Sequence, residues 1–213
     1  RDKDVTVGLL DRLGLDYKLV SKDGRSPISL LSETLSRIGK FTKIINQTKP
    51  DLTISQMDPS LAIASKLRGV PYICMQDSEP ERLLTDLTLP FVCVVLTPSS
   101  FTRNLGKKQV KYNGYKELAY LHPNTFDPDL TVLSHLQLND GESFIILRFV
   151  SWTAHHDVGQ HGIQDKVTIV NDLERYGKVF ISSEGPLEPS LENYRLSIPP
   201  EKLHDVLYYA KLL

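Results

Sequence analysis

Cysteine is scarce and tryptophan nearly absent: the 213 residues include two Cys and one Trp. Two thiols cannot form a disulfide framework. Cys74 and Cys93 both fall in apolar, β-branched stretches, so the sequence predicts two buried thiols in a reducing compartment. Neither sign of charge is in excess, since 25 Lys and Arg oppose 26 Asp and Glu for a formal net charge of -1. That balance excludes bulk attraction to nucleic acid or an anionic membrane and leaves room only for a local anion site. Long apolar runs are missing too. The longest, from Pro90 to Leu96, is far below the roughly 20 residues that cross a bilayer. Low-complexity tracts are lacking as well. What remains, 40% hydrophobic and 24% charged residues, is the profile of a globular protein with a substantial core, and a cytoplasmic setting is expected. Both ends read as cut: the chain opens on Arg1-Asp2-Lys3-Asp4 and stops on the apolar Tyr208-Tyr209-Ala210-Lys211-Leu212-Leu213. The expectation is a chain belonging to something longer.

Strand and helix signals alternate. Val5 to Leu13 has helical spacing and ends at Gly14, and Tyr17 to Val20 reads as a short strand. Leu31, Leu35, Ile38, Phe41 and Ile45 make one stripe on a helix from Ile28 to Gln47. Strands are predicted at Leu52 to Ser55, Pro71 to Met75, Phe91 to Leu96 and Gln109 to Asn113. The helices between them run from Asp58-Pro59-Ser60 through Leu67, up to about Leu87, and from Ser99 to Leu105. After Asn113 the rhythm breaks, then resumes with a helix from Leu130, a strand from Phe144 to Val150, a helix from Ile163 to Tyr176, strands at Val179 to Ser182 and Tyr194 to Ile198, and a helix from Glu201. Such alternation predicts α/β architecture with parallel sheets covered on both faces. It divides into an amino-terminal lobe, 1–114, a hinge, 115–129, and a carboxyl-terminal lobe, 130–213.

In open parallel sheets ligands bind outside the carboxyl ends of the strands, which directs attention to three loops. The first holds Asp58, which serves either as a helix cap before Pro59 or as a carboxylate facing a ligand. The second, with Asp77, Glu79 and Glu81, is either an acidic first turn or a source of a general base with a raised pKa. The third is the run Ser151-Trp152-Thr153-Ala154-His155-His156-Asp157-Val158-Gly159-Gln160-His161-Gly162, which carries three of the six His residues. Adjacent His residues on one loop seldom converge on one ion, so no metal site is expected there. Anion handling fits better, because Gly159 and Gly162 flank polar donors ahead of a helix start while Arg148 and His156 add charge. A solvated loop around a packed Trp152 is the plain alternative. Farther on, Ile198-Pro199-Pro200-Glu201-Lys202-Leu203-His204 reads as a rigid strand-to-helix turn, placed to meet a nucleotide base through its backbone.

Three stretches carry a family resemblance: Tyr112-Asn113-Gly114-Tyr115-Lys116-Glu117-Leu118-Ala119-Tyr120-Leu121-His122-Pro123, the run from Arg148 through His155-His156-Asp157 to Gly162, and Ile198 through Asp205. Together they make the chain resemble the archaeal and bacterial DUF354 family over essentially its whole length. That family is similar to GT-B glycosyltransferases and to UDP-N-acetylglucosamine 2-epimerases. The resemblance implies two Rossmann-like lobes, a nucleotide sugar, UDP-linked, held mainly by the carboxyl-terminal lobe, reaction in the cleft between them, and no further cofactor. It implies catalytic roles for Asp58 and Glu79 and a sugar-nucleotide contact from His155 or His156; the loop readings add Asp77 to the catalytic candidates and Arg148, Ser151, Asp157, Ile198 and His204 to the sugar-nucleotide candidates. The epimerase loop His-Arg-Arg-Glu-Asn is not reproduced: here the Arg precedes the strand's end and Asp157 replaces Glu-Asn. A sugar transferase with an unidentified acceptor is therefore the leading expectation, ahead of an epimerase or a binding protein without turnover.

Overall fold

The computed structural model describes residues 5–21, 27–138, 141–149, 163, 165–183 and 185–213, with 27–30 described by backbone alone. It divides into two compact units, Arg1–Tyr120 and Leu121–Leu213.

In the first unit, α1 (Thr6–Arg12) ends where Gly14 adopts φ 63°, a left-handed conformation that suits glycine. The long α2 (Pro27–Thr48) precedes β1 (Thr53–Gln56), α3 (Pro59–Arg68), β2 (Tyr72–Met75), α4 (Arg82–Thr88), β3 (Val94–Pro98) and β4 (Gln109–Tyr112). The strands pair in the order β1-β2-β3-β4, all parallel, with Gln56 opposite Met75, Met75 opposite Leu96 and Pro98 opposite Tyr112. Tyr72, Cys74 and Val95 alternate inward from these strands and pack with Met57, Ala62, Val92, Phe101 and Leu105. Helix α2 lies on α3, but the stripe is only partly used: Ile45 is buried whereas Leu31 and Leu35 remain exposed. The reason is length, since a 22-residue helix overreaches a 10-residue neighbour by about 18 Å at 1.5 Å per residue.

A short α5 (Leu118–Leu121) spans the boundary between units. The second unit contains α6 (Val132–His135), β5 (Phe144–Phe149), α7 (Lys166–Leu173), β6 (Lys178–Ser183) and α8 (Leu203–Tyr209). Strands β5 and β6 are parallel, and a single parallel bridge extends each edge, Leu212 to Ile145 on one side and Arg195 to Ile181 on the other. Both faces are covered, which is why these strands are apolar at successive positions rather than alternate ones. Phe149, Val179 and Ile181 point into a cluster with Val170, Leu187 and Leu191, while Phe144 and Ile146 point into another with Val132, Leu136 and Val206.

Several sequence expectations are corrected. Tyr17 to Val20 forms no strand: among the described residues no strand lies alongside it, and Tyr17 and Leu19 stay exposed. Ser99 to Leu105 is irregular rather than helical, held by buried Phe101 and Leu105 and followed by a 3-10 turn at Gly106–Lys108. Tyr194 to Ile198 contributes one bridge, not a strand, since a 3-10 turn occupies Pro189–Tyr194. Cys74 is buried as expected, but Cys93, one residue before β3, is exposed.

Candidate functional site

Because β1 and β2 run in parallel and in register, the loops that follow them leave the same edge of the sheet. Asp58 is two residues beyond Gln56, and Asp77 two residues beyond Met75, its register partner. Asp58 caps α3: its Oδ1 accepts from the amides of Ser60 (2.9 Å) and Leu61 (3.2 Å). Its Oδ2 accepts from the Arg37 guanidinium of α2, which also packs over Phe41. Beneath it, the fully buried Tyr72 hydroxyl donates to the Gln56 carbonyl at 2.9 Å, accepts from the Asp58 amide at 3.3 Å and lies 2.9 Å from the Ser55 hydroxyl. Burial raises the Tyr72 phenol and pushes the Cys74 thiol up to about 11, so neither ionises near neutrality.

The loop after β2 is built around Gln76, which is buried although polar. Its side-chain amide donates to the Thr85 hydroxyl (2.7 Å) and the Ser78 carbonyl (3.3 Å), and its oxygen accepts from the Asp77 and Ser78 amides. Asp77 forms an ion pair with Lys116, which also lies 3.8 Å from Glu117. Glu79 is fixed from the neighbouring loop: the Thr102 amide donates to Oε1 and the Thr102 hydroxyl to Oε2, both at 2.7 Å. These two bonds, with smaller contributions from Arg82 and Lys111, hold the Glu79 carboxyl below the ordinary Glu value of 4.5. For Glu79 the alternative of a general base with a raised pKa is thus overturned, because donors and cations outweigh any burial. Arg37, Gln76, Thr102 and Lys116 were not singled out from the sequence. Of these only Gln76, a polar residue directly after an apolar strand, carried a local signal.

In the second unit the order across the sheet is Leu212, β5, β6, Arg195. The chain moves from β5 to β6 to Arg195, then returns through α8 to the far side of β5. The reversal puts a topological switch point between β5 and Leu212, where the Ile146 amide donates to the Leu212 carbonyl at 3.0 Å. Arg148 is exposed near the carboxyl end of β5, beside that point. Ser151, His155, His156 and Asp157 lie outside the described residues. Ile198 packs against the cluster of Val206 and Phe144, and His204 is exposed in the first turn of α8. In the first unit the described order β1-β2-β3-β4 runs one way without reversal.

Helix α8 also grips the segment ahead of α6. Buried Asp205 accepts from the Asp129 amide (3.0 Å), Lys202 pairs with the Asp129 carboxylate (2.6 Å), and the Tyr209 hydroxyl donates to the Pro128 carbonyl (3.0 Å). Lys202 above all, and Thr131 after it, drive the Asp129 carboxyl well below its usual range, and Asp129 in turn raises Lys202. A depressed carboxyl contributes stability that is present above its unfolded value and lost as pH falls through the folded one; a raised Lys contributes below its unfolded value and loses it as pH rises through the folded one. The contribution of the pair is thus complete between the ordinary values of 3.8 and 10.5. Urea titrations of wild type and Lys202→Met are expected to differ at pH 7 and to converge as the pH falls below about 4. A gap that persists unchanged at pH 2 would contradict this assignment.

Two surface depressions are lined by Glu142, Ser143, Glu174, Tyr176, Gly177 and Lys178, and by Asp86, Leu89, Pro90, Leu105, Lys107 and Lys108. Each lies ahead of the strands of its own unit, the first at the end opposite Arg148 and the second at the end opposite Asp58 and Asp77. Among the described residues no group of three or more His, Cys, Asp or Glu is placed to hold a metal ion, and no helix is long and apolar enough to cross a membrane.

No protein-family profile and no curated protein sequence matches the chain. Solved structures do. The UDP-GlcNAc 2-epimerase of Neisseria meningitidis bound to UDP-GlcNAc superposes at TM-score 0.60 and 12% identity, over 96% of this chain and 64% of that one. A UDP-N-acetylglucosamine 2-epimerase from Listeria monocytogenes, assigned by inference, gives 0.62 at 14% identity over 96% and 62%. S. aureus MnaA in complex with UDP gives 0.54 at 12% identity over 96% and 62%. The chain thus spans less than two thirds of the length of these structures. At this identity the likeness shows the fold: α/β, with Rossmann-like parallel-sheet units of the GT-B type.

Proposed function

We propose that this chain, as a member of the DUF354 family, binds a UDP-linked sugar through its second unit and transfers the sugar to an acceptor hydroxyl. The observation that carries the reading is the reversal of strand order beside β5, because a diphosphate binds where crossovers diverge on opposite faces of a parallel sheet. Arg148 supplies positive charge there, and Ser151 and the histidines 155 and 156 follow in sequence. Glu79, ionised at neutral pH, takes the proton from the acceptor hydroxyl as the bond from the sugar's first carbon to the diphosphate breaks. A cationic side chain then stabilises the departing diphosphate, the work a metal ion does in other transferases. Two of the similar solved structures are UDP-N-acetylglucosamine 2-epimerases, which favours epimerisation at the sugar's second carbon as the second reading.

Calorimetry of the protein with UDP and UDP-N-acetylglucosamine tests the binding. Both are expected to bind, and Arg148→Met to weaken them by about tenfold or more, as a lost charge-assisted hydrogen bond does. Absence of heat at millimolar nucleotide ends the reading. Turnover in heavy water separates the chemistries: an epimerase incorporates deuterium at the second carbon, a transferase none.

A further inference from the structure

We propose that Thr102 is the positioning residue for Glu79, its amide and hydroxyl fixing both carboxylate oxygens before any substrate arrives. The role rests on Glu79 acting as the base on a UDP-linked sugar. The geometry is asymmetric. Thr102 follows Phe101, which is buried in the core of the first unit, and the Phe101 carbonyl accepts from Lys111 of β4 at 2.7 Å while its amide donates to the Pro98 carbonyl at 3.0 Å. Ser99 is tied to β4 as well, its amide donating to the Tyr112 carbonyl at 2.8 Å. The segment after β3 is thus tied to the sheet ahead of Thr102, and beyond it by the Gln109 side chain of β4, which donates to the Arg103 carbonyl at 3.1 Å and accepts from the Leu105 amide at 2.8 Å. Glu79 sits on an acidic loop anchored by Gln76 and by the Glu81 amide donating to the Ser78 carbonyl at 3.3 Å, and the pair of 2.7 Å bonds from Thr102 fixes its carboxylate.

Two donors, one to each oxygen, select a single carboxylate rotamer and favour the ionised form. They leave one lone pair on each oxygen for a hydroxyl proton. The charged groups that face Glu79 are Arg82 of α4 and Lys111 of β4, and both act in the same direction as Thr102. Removing the Thr102 hydroxyl therefore frees one carboxylate oxygen while the amide bond to the other remains.

Carboxyl-carbon NMR of the full chain labelled at glutamate reads the effect, with Glu79→Gln identifying the resonance. In Thr102→Val the Glu79 titration midpoint rises toward the ordinary Glu value, whereas Thr102→Ser, which keeps the hydroxyl, stays with the wild type. Thr102→Ala provides the same comparison should the Val variant not fold. A midpoint that does not move in a folded Val or Ala variant overturns the proposal. In the reaction with UDP-N-acetylglucosamine, the acid limb of kcat moves with the NMR midpoint and KM does not. A wild type without turnover ends the reading of Glu79 as base, and the NMR midpoints still decide whether Thr102 holds it.

Discussion

Replacing Glu79 with Gln is expected to slow turnover of a UDP-linked sugar by about 10²- to 10⁴-fold, the range a positioned general base supplies. UDP affinity is expected to stay within about twofold of wild type, since the nucleotide site is assigned to the other unit and carboxylate-to-amide substitution leaves shape nearly unchanged. The substitution is a narrow one. Gln matches Glu in volume and still accepts a hydrogen bond from Thr102 through its single carbonyl oxygen, so the loop keeps one of its two ties. What is lost is the charge that can take a proton. Because the carboxyl is held below its ordinary value, the wild-type rate should stay level through neutral pH and fall only under acid conditions, as Glu79 becomes protonated. Steady-state kinetics over pH 4 to about 9, paired with calorimetry, check both halves. Equal rates for Glu79→Gln and wild type would remove Glu79 from the chemistry. A parallel loss of UDP binding would mean that the substitution disturbed more than the base.

The second large effect is structural. Tyr72→Ala is expected to cost the first unit about 3 to 5 kcal/mol, as large aromatic truncations in cores do, whereas Tyr72→Phe should cost about 1 to 3 kcal/mol. Tyr72 is fully buried and is the largest such side chain among the described residues, packed with Met57, Ala62, Cys74 and Val95. Truncation leaves a cavity that strands β1 and β3, held in register on either side of β2, cannot collapse to fill. The Phe variant keeps the packing and removes only the hydroxyl, which strands the Asp58 amide and leaves the Gln56 carbonyl short of a donor. Against the 5 to 15 kcal/mol typical of a domain, the Ala variant should lose much of the unit's stability. Hydrogen exchange resolved by peptide is the suitable readout, since it reports each unit separately. Protection should fall across β1, β2 and β3 and hold in β5 and β6. Uniform loss in both units would show that they unfold as one.

Much of the backbone could be read from local chemistry. Asp58-Pro59-Ser60 started α3 where cap and Pro preferences placed it, and Gly69 ended it with φ 68°. The apolar runs of β2, β3 and β5 were found within two or three residues of their bounds. The misses share a cause. Tyr17 to Val20 and Tyr194 to Ile198 have strand composition, yet a strand exists only where a partner offers its hydrogen-bonding edge, and one bridge at Arg195 is all that forms. Ser99 to Leu105 has a helical start but spends its apolar residues, Phe101 and Leu105, on the core beneath the sheet.

The candidate site divides along the same line. That Asp58 and Asp77 follow parallel strands of the first unit, and that Arg148 sits near the carboxyl end of β5 in the second, is a property of the order of the residues, because a strand-helix alternation admits few topologies and within each unit brings the strand ends to one edge. The α/β class follows from the same alternation, and the near-zero net charge by itself argues against bulk attraction to a polyanion. Which side chain meets which carboxylate came only with the tertiary structure. Thr102 lies 23 residues from Glu79, Lys116 lies beyond β4 from Asp77, and Arg37 reaches Asp58 across 21 residues. Hydrophobic period and capping preference act over a few residues, and hold no information about pairs so far apart. Those distant donors fix the orientation of the Glu79 carboxylate and hold its pKa below the ordinary value, so both were set by the packing of one loop against another.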